Sequence, residues 1–198
     1  MNGGRMIKRV IAAGGAVLLL SGCLSLGGKA PPTLFTLGAE RGAAAGASTT
    51  GKVADALVVA EPEVDRRLGV QRVAVQVDAS NVAYLKDAMW VERPSRLFRA
   101  LLAETLRARS GRLVFEDDQP LARGARRLSG RLIDMGYDVR AQAAVVRFEA
   151  VRDLGNGEVS VRRFEAVESG VSAKPESVGP ALNRAANKVA AEVADWVG

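Results

Sequence analysis

Val145-Val146-Arg147-Phe148-Glu149-Ala150-Val151-Arg152-Asp153-Leu154-Gly155-Asn156-Gly157-Glu158-Val159-Ser160-Val161-Arg162-Arg163-Phe164-Glu165-Ala166-Val167 decides the fold. Two strand-forming runs flank a Gly-Asn-Gly turn. A two-residue Asn-Gly turn would set Phe148 opposite Glu165, an aromatic ring against a carboxylate. A three-residue loop with Gly157 in the left-handed region moves the pairing by one. Phe148 then faces Phe164, Val151 faces Val161, Arg147 faces Glu165 and Glu149 faces Arg163. Apolar meets apolar and charge meets opposite charge, so this register is the expected one.

Outward from the hairpin, Arg126–Arg140 reads as a third long strand. Leu182, Ala185, Ala186, Val189, Val193 and Trp196/Val197 recur at helical spacing behind Pro175 and Pro180. Upstream, Pro94 opens a helix whose apolar face is Leu97, Phe98, Leu101, Leu102, Thr105 and Leu106, with Gly111 as its stop. Shorter strands are expected at Thr33–Leu37, Ala56–Ala60, Val70–Val77 and Leu113–Phe115. In Val70–Val77, alternation puts Val73, Val75 and Val77 on one face and Arg72, Ala74 and Gln76 on the other. Val82–Leu85 and Met89–Val91 read as short segments around a Lys86-Asp87 turn. Gly38–Lys52 is small and of low complexity, a flexible loop within the domain or part of a tether. The order is roughly βββ–α–ββββ–α. The expected fold class is α+β, a mostly antiparallel sheet with two main helices packed on one face.

The N-terminus is of another kind. Met1–Arg9 is basic, Val10–Leu20 is an apolar run of eleven residues, and Ser21-Gly22 precede Cys23, the only cysteine. The run is shorter than the about 20 apolar residues of a spanning helix. Its order is that of a secretory signal. Leu20-Ser21-Gly22-Cys23 resembles the bacterial lipobox, which implies cleavage between Gly22 and Cys23 and lipidation of Cys23. Residues 1–22 are then a signal peptide, 23–32 a lipidated tether and 33–198 the domain. Leu24, where an inner-membrane retention signal would place Asp, favours the outer membrane.

Cleavage also changes the charge. The whole chain carries 28 Lys+Arg against 22 Asp+Glu, a net +6. Arg5, Lys8 and Arg9 leave with the signal, so 176 residues (198 − 22) keep +3 (25 − 22). No nucleic-acid partner is expected. The chain has no histidine, so it has no Ser-His-Asp triad, no Cys-His pair and no His-ligated zinc. Acylation occupies the one thiol. Phosphate-cradling glycine motifs are absent. No catalytic residue, metal site or cofactor is expected, and the protein reads as a non-enzyme. Glu116-Asp117-Asp118 reads as a solvated turn, because neighbouring carboxylates do not converge on one atom. The arginines at 123, 126, 127 and 131 read as a solvated strand edge, with anionic lipid headgroups as the other reading. Tyr84, Leu85, Met89, Trp90 and Arg93 are the candidate partner-binding residues, because aromatic anchors in irregular segments serve interfaces. Capping of a sheet edge or helix is the other reading of that cluster.

The order of these features carries a resemblance. A lipobox is followed by Pro32-Thr33-Leu34-Phe35-Thr36-Leu37, then a Val-rich strand leading to Tyr84-Leu85. Trp90 and Arg93-Pro94 come next, before an amphipathic helix. This resembles the ABC-type transport auxiliary lipoproteins, the group that includes the paraquat-inducible C lipoprotein. Phe35 stands where members more often have Tyr. The resemblance implies a periplasm-facing outer-membrane lipoprotein serving an MCE-type (mammalian cell entry) lipid transport system. Its partners would be an MCE-domain protein and, indirectly, an ABC permease and ATPase, with a homo-oligomeric ring as a further implication. The other readings are an interaction lipoprotein of another envelope machine, such as a cell-wall synthase activator or secretion pilot, and a carboxylate-dependent periplasmic hydrolase.

Overall fold

In the computed structural model, residues 32–117, 119, 125–153 and 157–198 are described. In chain order the elements are β1 (Thr33–Phe35), β2 (Leu57–Val59), β3 (Arg72–Gln76), β4 (Val82–Trp90), α1 (Pro94–Ser110), β5 (Val114–Glu116), β6 (Arg126–Asp138), β7 (Ala143–Asp153), β8 (Val159–Ser169) and α2 (Pro175–Val197). The fold is α+β, with two helices on an eight-stranded, mostly antiparallel mixed sheet.

The β7–β8 hairpin has the expected register. Phe148 lies opposite Phe164, Val151 opposite Val161, Arg147 opposite Glu165 and Glu149 opposite Arg163. Gly157 has φ 86°, the left-handed conformation that the longer loop requires. The first residues of that loop lie outside the described residues. Alternation then sorts the side chains. Ala144, Val146, Phe148 and Ala150 are buried toward the helices, while Arg147, Glu149 and Val151 point to the other face and stay half-buried.

The helices meet that inward face with complementary stripes. Phe98, Leu101, Leu102 and Leu106 of α1 and Leu182, Ala185, Ala186, Val189 and Val193 of α2 are buried. The many alanines of α2 allow close approach to the sheet. Phe98 meets Phe148 edge-on at 5.1 Å, and Phe164 meets Trp196 at 5.6 Å. Pro94 begins α1 and Gly111 ends it with φ 63°. Pro180 sits in the early turns of α2, near the end where a missing N–H costs least.

Three features depart from the sequence reading. First, β4 is one nine-residue strand, not two segments around a turn. Arg72 pairs with Met89 and Ala74 with Tyr84, so Val73 alone spans Leu85–Ala88. Asp87 adopts φ 56° and lets the chain bulge without reversing. Second, β3 is buried on both faces over Val73, Ala74 and Val75, whereas Val77 is 38% exposed. The strand is interior, between β4 and β6, and Ala74 crosses Gly136, where a Cβ would lie 2.4 Å from the Ala74 carbonyl. Third, four short pairings are parallel: β1–β4, β2–β5, β2–β6 and β3–β6. The long strand β6 is shared, with β2 alongside its first residues and β3 alongside its last.

Residues 38–52 form neither helix nor strand. Their first part is nevertheless tied to both helices. The Gly38 N–H donates to Asn183 Oδ1 at 2.9 Å, Glu40 N–H to Asn187 Oδ1 at 2.8 Å and Ala43 N–H to Glu104 Oε1 at 2.7 Å.

Candidate functional site

The segment Tyr84–Arg93 is split by the bulge into inward and outward side chains. Trp90 is 1% exposed and Leu85 is also buried. These two therefore belong to the core of the folded chain and offer a partner no surface. β1 runs parallel to the end of β4, with Phe35 opposite Trp90, and the two rings meet edge-on at 5.6 Å. The Trp90 backbone N–H donates to the Gln71 carbonyl at 2.8 Å. Its indole Nε1 is buried with no hydrogen-bond partner among the described residues.

Tyr84, Met89 and Arg93 do reach the surface. The Arg72 guanidinium lies 4.2 Å from the centre of the Tyr84 ring and holds it against the sheet. Leu34, opposite Met89 on β1, is 62% exposed and extends the apolar strip. Sequence reasoning missed Leu34 as a surface residue. The alternation in Leu34-Phe35 carried the signal, since Phe35 turned inward forces Leu34 outward. Beyond the strip, Glu92 accepts the Arg93 N–H at 2.8 Å and pairs with Arg96 at 3.3 Å. The Arg93 N–H holds the Glu92 carboxyl below the usual carboxylate range, and Arg96 adds to this.

The sheet face away from the helices carries a row of alternating charge. Arg67 donates to Asp65 at 3.0 Å, to Gln76 at 2.9 Å and to both Asp134 and the Ile133 carbonyl at 2.7 Å. Burial opposes the charge of Arg67. Asp134 and Asp65 outweigh it and hold the guanidinium above its ordinary value. Arg147 pairs with Asp134 at 2.6 Å and also with Glu165. Arg163 pairs with Glu149 at 2.6 Å. A concavity of about 340 Å³ lies over this row, lined by Arg67, Gln76, Asp134, Tyr137, Arg140 and Arg147 among others. Arg67 and Arg147 already have carboxylate partners there, so an anionic ligand would compete with internal ion pairs.

The remaining candidates are structural. Asp117 pairs with Arg99 at 2.7 Å and Arg127 at 3.4 Å, and Glu116 with Arg99 at 3.1 Å and Arg107 at 3.4 Å. The turn is thus a partly buried ion-pair knot, not simply a solvated loop; Asp118 lies outside the described residues. Arg126 and Arg127 pair with β2 on one side and precede the first β7 pair, at Leu128, on the other, whereas Arg131 is flanked on both sides, by β7 and by a bridge to Glu63; all three are exposed. Arg131 lies opposite Glu149. Arg123 and the residues expected to be cleaved and lipidated, Gly22 and Cys23, lie outside the described residues. Among the described residues, no group of three or more His, Cys, Asp or Glu could hold a metal ion. No described helix is long and apolar enough to cross a membrane.

The family described as the ABC-type transport auxiliary lipoprotein component matches residues 35–194. The chain belongs to this family. The auxiliary lipoprotein's match runs from the end of β1 to the last turns of α2, so it takes in all of β4 and the open sheet face and begins one residue after Leu34. Its fold is shared with two crystal structures. One, of an uncharacterized protein, has a TM-score of 0.67 at 15% identity, covering 84% of this chain and 99% of the other. The other, XCC0632 from Xanthomonas campestris, has a TM-score of 0.60 at 17% identity, covering 84% and 91%. No curated protein sequence matches significantly. The family is an auxiliary part of an ABC-type transport system, which supports an accessory, non-catalytic role for the lipoprotein in the cell envelope.

Proposed function

We propose that this auxiliary lipoprotein serves an MCE-type phospholipid transport system, anchored through lipidated Cys23 at the periplasmic face of the outer membrane. The family match over residues 35–194 carries the reading. The site chemistry agrees with it, since the strongest polar constellations on the surface are internally neutralised ion pairs. The partner-facing residues are Tyr84, Met89 and Arg93, joined by Leu34, while Leu85 and Trp90 support them from beneath. An MCE-domain protein docks on this strip, and the permease and ATPase are reached through it. The strip mixes an apolar centre with a flanking arginine, the composition of a protein-binding patch.

The test is co-purification from membranes. The tagged full-length chain retains an MCE-domain protein, and Met89→Asp with Leu34→Asp reduces its recovery while the fold melts as before. Recovery of another envelope machine's subunits, with no MCE-domain protein, would refute the reading. Separately, Cys23→Ser moves the chain from the membrane to the soluble fraction; continued sedimentation with membranes rules out the anchor.

A further inference from the structure

Strand directions bring several connections to one end of the sheet. β3 and β6 run parallel and both finish there, leading into residues 78–81 and 139–142. The Val139 N–H donates to the Gln76 carbonyl at 3.0 Å and ties these two connections together. β8 finishes there as well, with Ser169 opposite Ala143. The Val171 N–H then donates to the Gln142 carbonyl at 2.9 Å, just before α2 begins. β1 runs parallel to β4 with Thr33 opposite Ala88, so its N-terminal end points the same way. The last residues of β7, the close of α2 and the arginines at 126, 127 and 131 lie toward the opposite end.

The first of these ends has the chemistry of a lipid-facing surface. Val77, Val82 and Val139 stand outside the core there, 38%, 43% and 42% exposed. The carboxylates of the turns are engaged by their own loops. Asp78 accepts the Ser80 and Asn81 N–H groups at 2.9 Å, and Asp138 accepts the Ala141 N–H at 2.9 Å. Arg140 and Lys174 are exposed, and neither has an ion-pair partner among the described residues. α2 also directs its N-terminal, positive end this way. At the opposite end the cations are spoken for: Arg127 pairs with Asp117, and Arg131 lies opposite Glu149. Unpaired cations beside exposed apolar side chains match the boundary where lipid phosphates give way to acyl carbon.

We infer that this end of the sheet is the domain's membrane-contacting face: Val77, Val82 and Val139 enter the headgroup boundary, and Arg140 and Lys174 meet lipid phosphates. The inference rests on the proposed anchor at Cys23. Residues 24–32 join that anchor to β1 and reach at most about 30 Å, and β1 presents its N-terminal end on this side. A few exposed groups bind a bilayer weakly by themselves, but a tether makes the contact intramolecular and raises its effective concentration. The strands then rise from the bilayer, with Tyr84 near its surface and Arg93 farther along β4 and beyond it.

The test is lipid quenching along the sheet in the full-length, lipidated chain. Val139→Cys, Val82→Cys and Val159→Cys each put a thiol-linked fluorophore at an exposed valine, the last at the opposite end. The length of β7 separates the two ends, eleven residues or about 36 Å. The purified chains are placed in vesicles of phosphatidylethanolamine and phosphatidylglycerol that carry a headgroup spin label. Fluorophores at 139 and 82 are quenched at least about threefold more than the one at 159. Equal quenching at both ends, stronger quenching at 159, or none at any site with the chain still on the vesicles overturns the inference and leaves the anchor standing. Shielding of 139 from lipid-borne and water-soluble quenchers alike reveals a protein cover and overturns it as well. Labelling of the unsubstituted chain reads differently: it reveals a free thiol at Cys23, which refutes the anchor itself, and the inference falls with it. As a second readout, Arg140→Glu in a chain that melts normally lowers quenching at 82 at least about twofold, whereas Arg140→Lys keeps it; unchanged quenching in Arg140→Glu overturns the headgroup contact.

Discussion

Truncating Trp90 separates a core role from a contact role. The ring is 1% exposed and edge-on to Phe35. Trp90→Ala removes about 200 Å² of buried surface, worth about 5 kcal/mol at 25 cal/mol/Å². Residual burial in the unfolded chain lowers this to about 3–4.5 kcal/mol. Loss of the ring pair adds about 1 kcal/mol. Against this, the indole N–H is buried with no partner among the described residues, and its removal returns about 1–3 kcal/mol. The net cost is about 3 kcal/mol, a fall in Tm of about 6–12 °C for a domain of this size. Trp90→Phe discards the unpaired N–H and keeps most of the ring, so it stays within about 1 kcal/mol of wild type. Thermal and urea unfolding of the domain, residues 33–198, measure both. If Trp90→Ala costs less than about 1 kcal/mol, or Trp90→Phe costs as much as Trp90→Ala, the placement of this ring is wrong.

Three further outcomes follow from the same geometry. Gly130→Ala meets the Glu149 carbonyl at 2.0 Å from a backbone at φ 150°, so it costs more than about 2 kcal/mol in urea unfolding. Gly38→Ala, with open space around its Cβ, shifts the midpoint little, and equal effects would refute the close approach. Arg67→Ala leaves the Ile133 carbonyl and Asp134 Oδ1 without this donor, while Asp134 Oδ2 keeps Arg147, and costs about 1–3 kcal/mol by thermal melting; a melt within error of wild type would show the network to be idle. Asp78 is held down to about 2, first by the Asn81 side chain and then by the Ser80 N–H. Its folded value is depressed, so the turn's contribution is present above the ordinary carboxylate range and is lost as pH falls through about 2. Carboxyl NMR titration that places Asp78 at its ordinary value of 3.8 would mean the turn is not formed.

What the sequence could convey depended on how local the information was. The β7–β8 register was legible because each strand's neighbours are encoded in one short window, and only one register pairs Phe148 with Phe164. The helices were legible for the same reason. β4 was not, because the polar pair Lys86-Asp87 reads as a turn unless Asp87 is known to adopt φ 56°. The parallel pairing of β2 with β5 and β6 leaves no period-two signature, since Leu57, Val58 and Val59 are all buried. The Arg67–Asp134 contact joins residues 67 apart in sequence, beyond any spacing argument. At the candidate site, Tyr84, Met89 and Arg93 were legible as surface, but Trp90 and Leu85 were not legible as core. An aromatic in an irregular segment reads the same way whether it meets a partner or its own β1.

The proposed anchor and the proposed docking strip also constrain one another. Residues 24–32 precede β1 directly, and nine extended residues reach at most about 30 Å. With the proposed lipid on Cys23, β1, and with it Leu34 and Met89, stays within that distance of the membrane. From β1 through β4, β3, β6 and β7 to β8 there are five inter-strand steps, roughly 24 Å at about 4.8 Å each. The proposed docking strip therefore stands at the tethered edge of the sheet, so a partner that meets it does so close to the membrane surface.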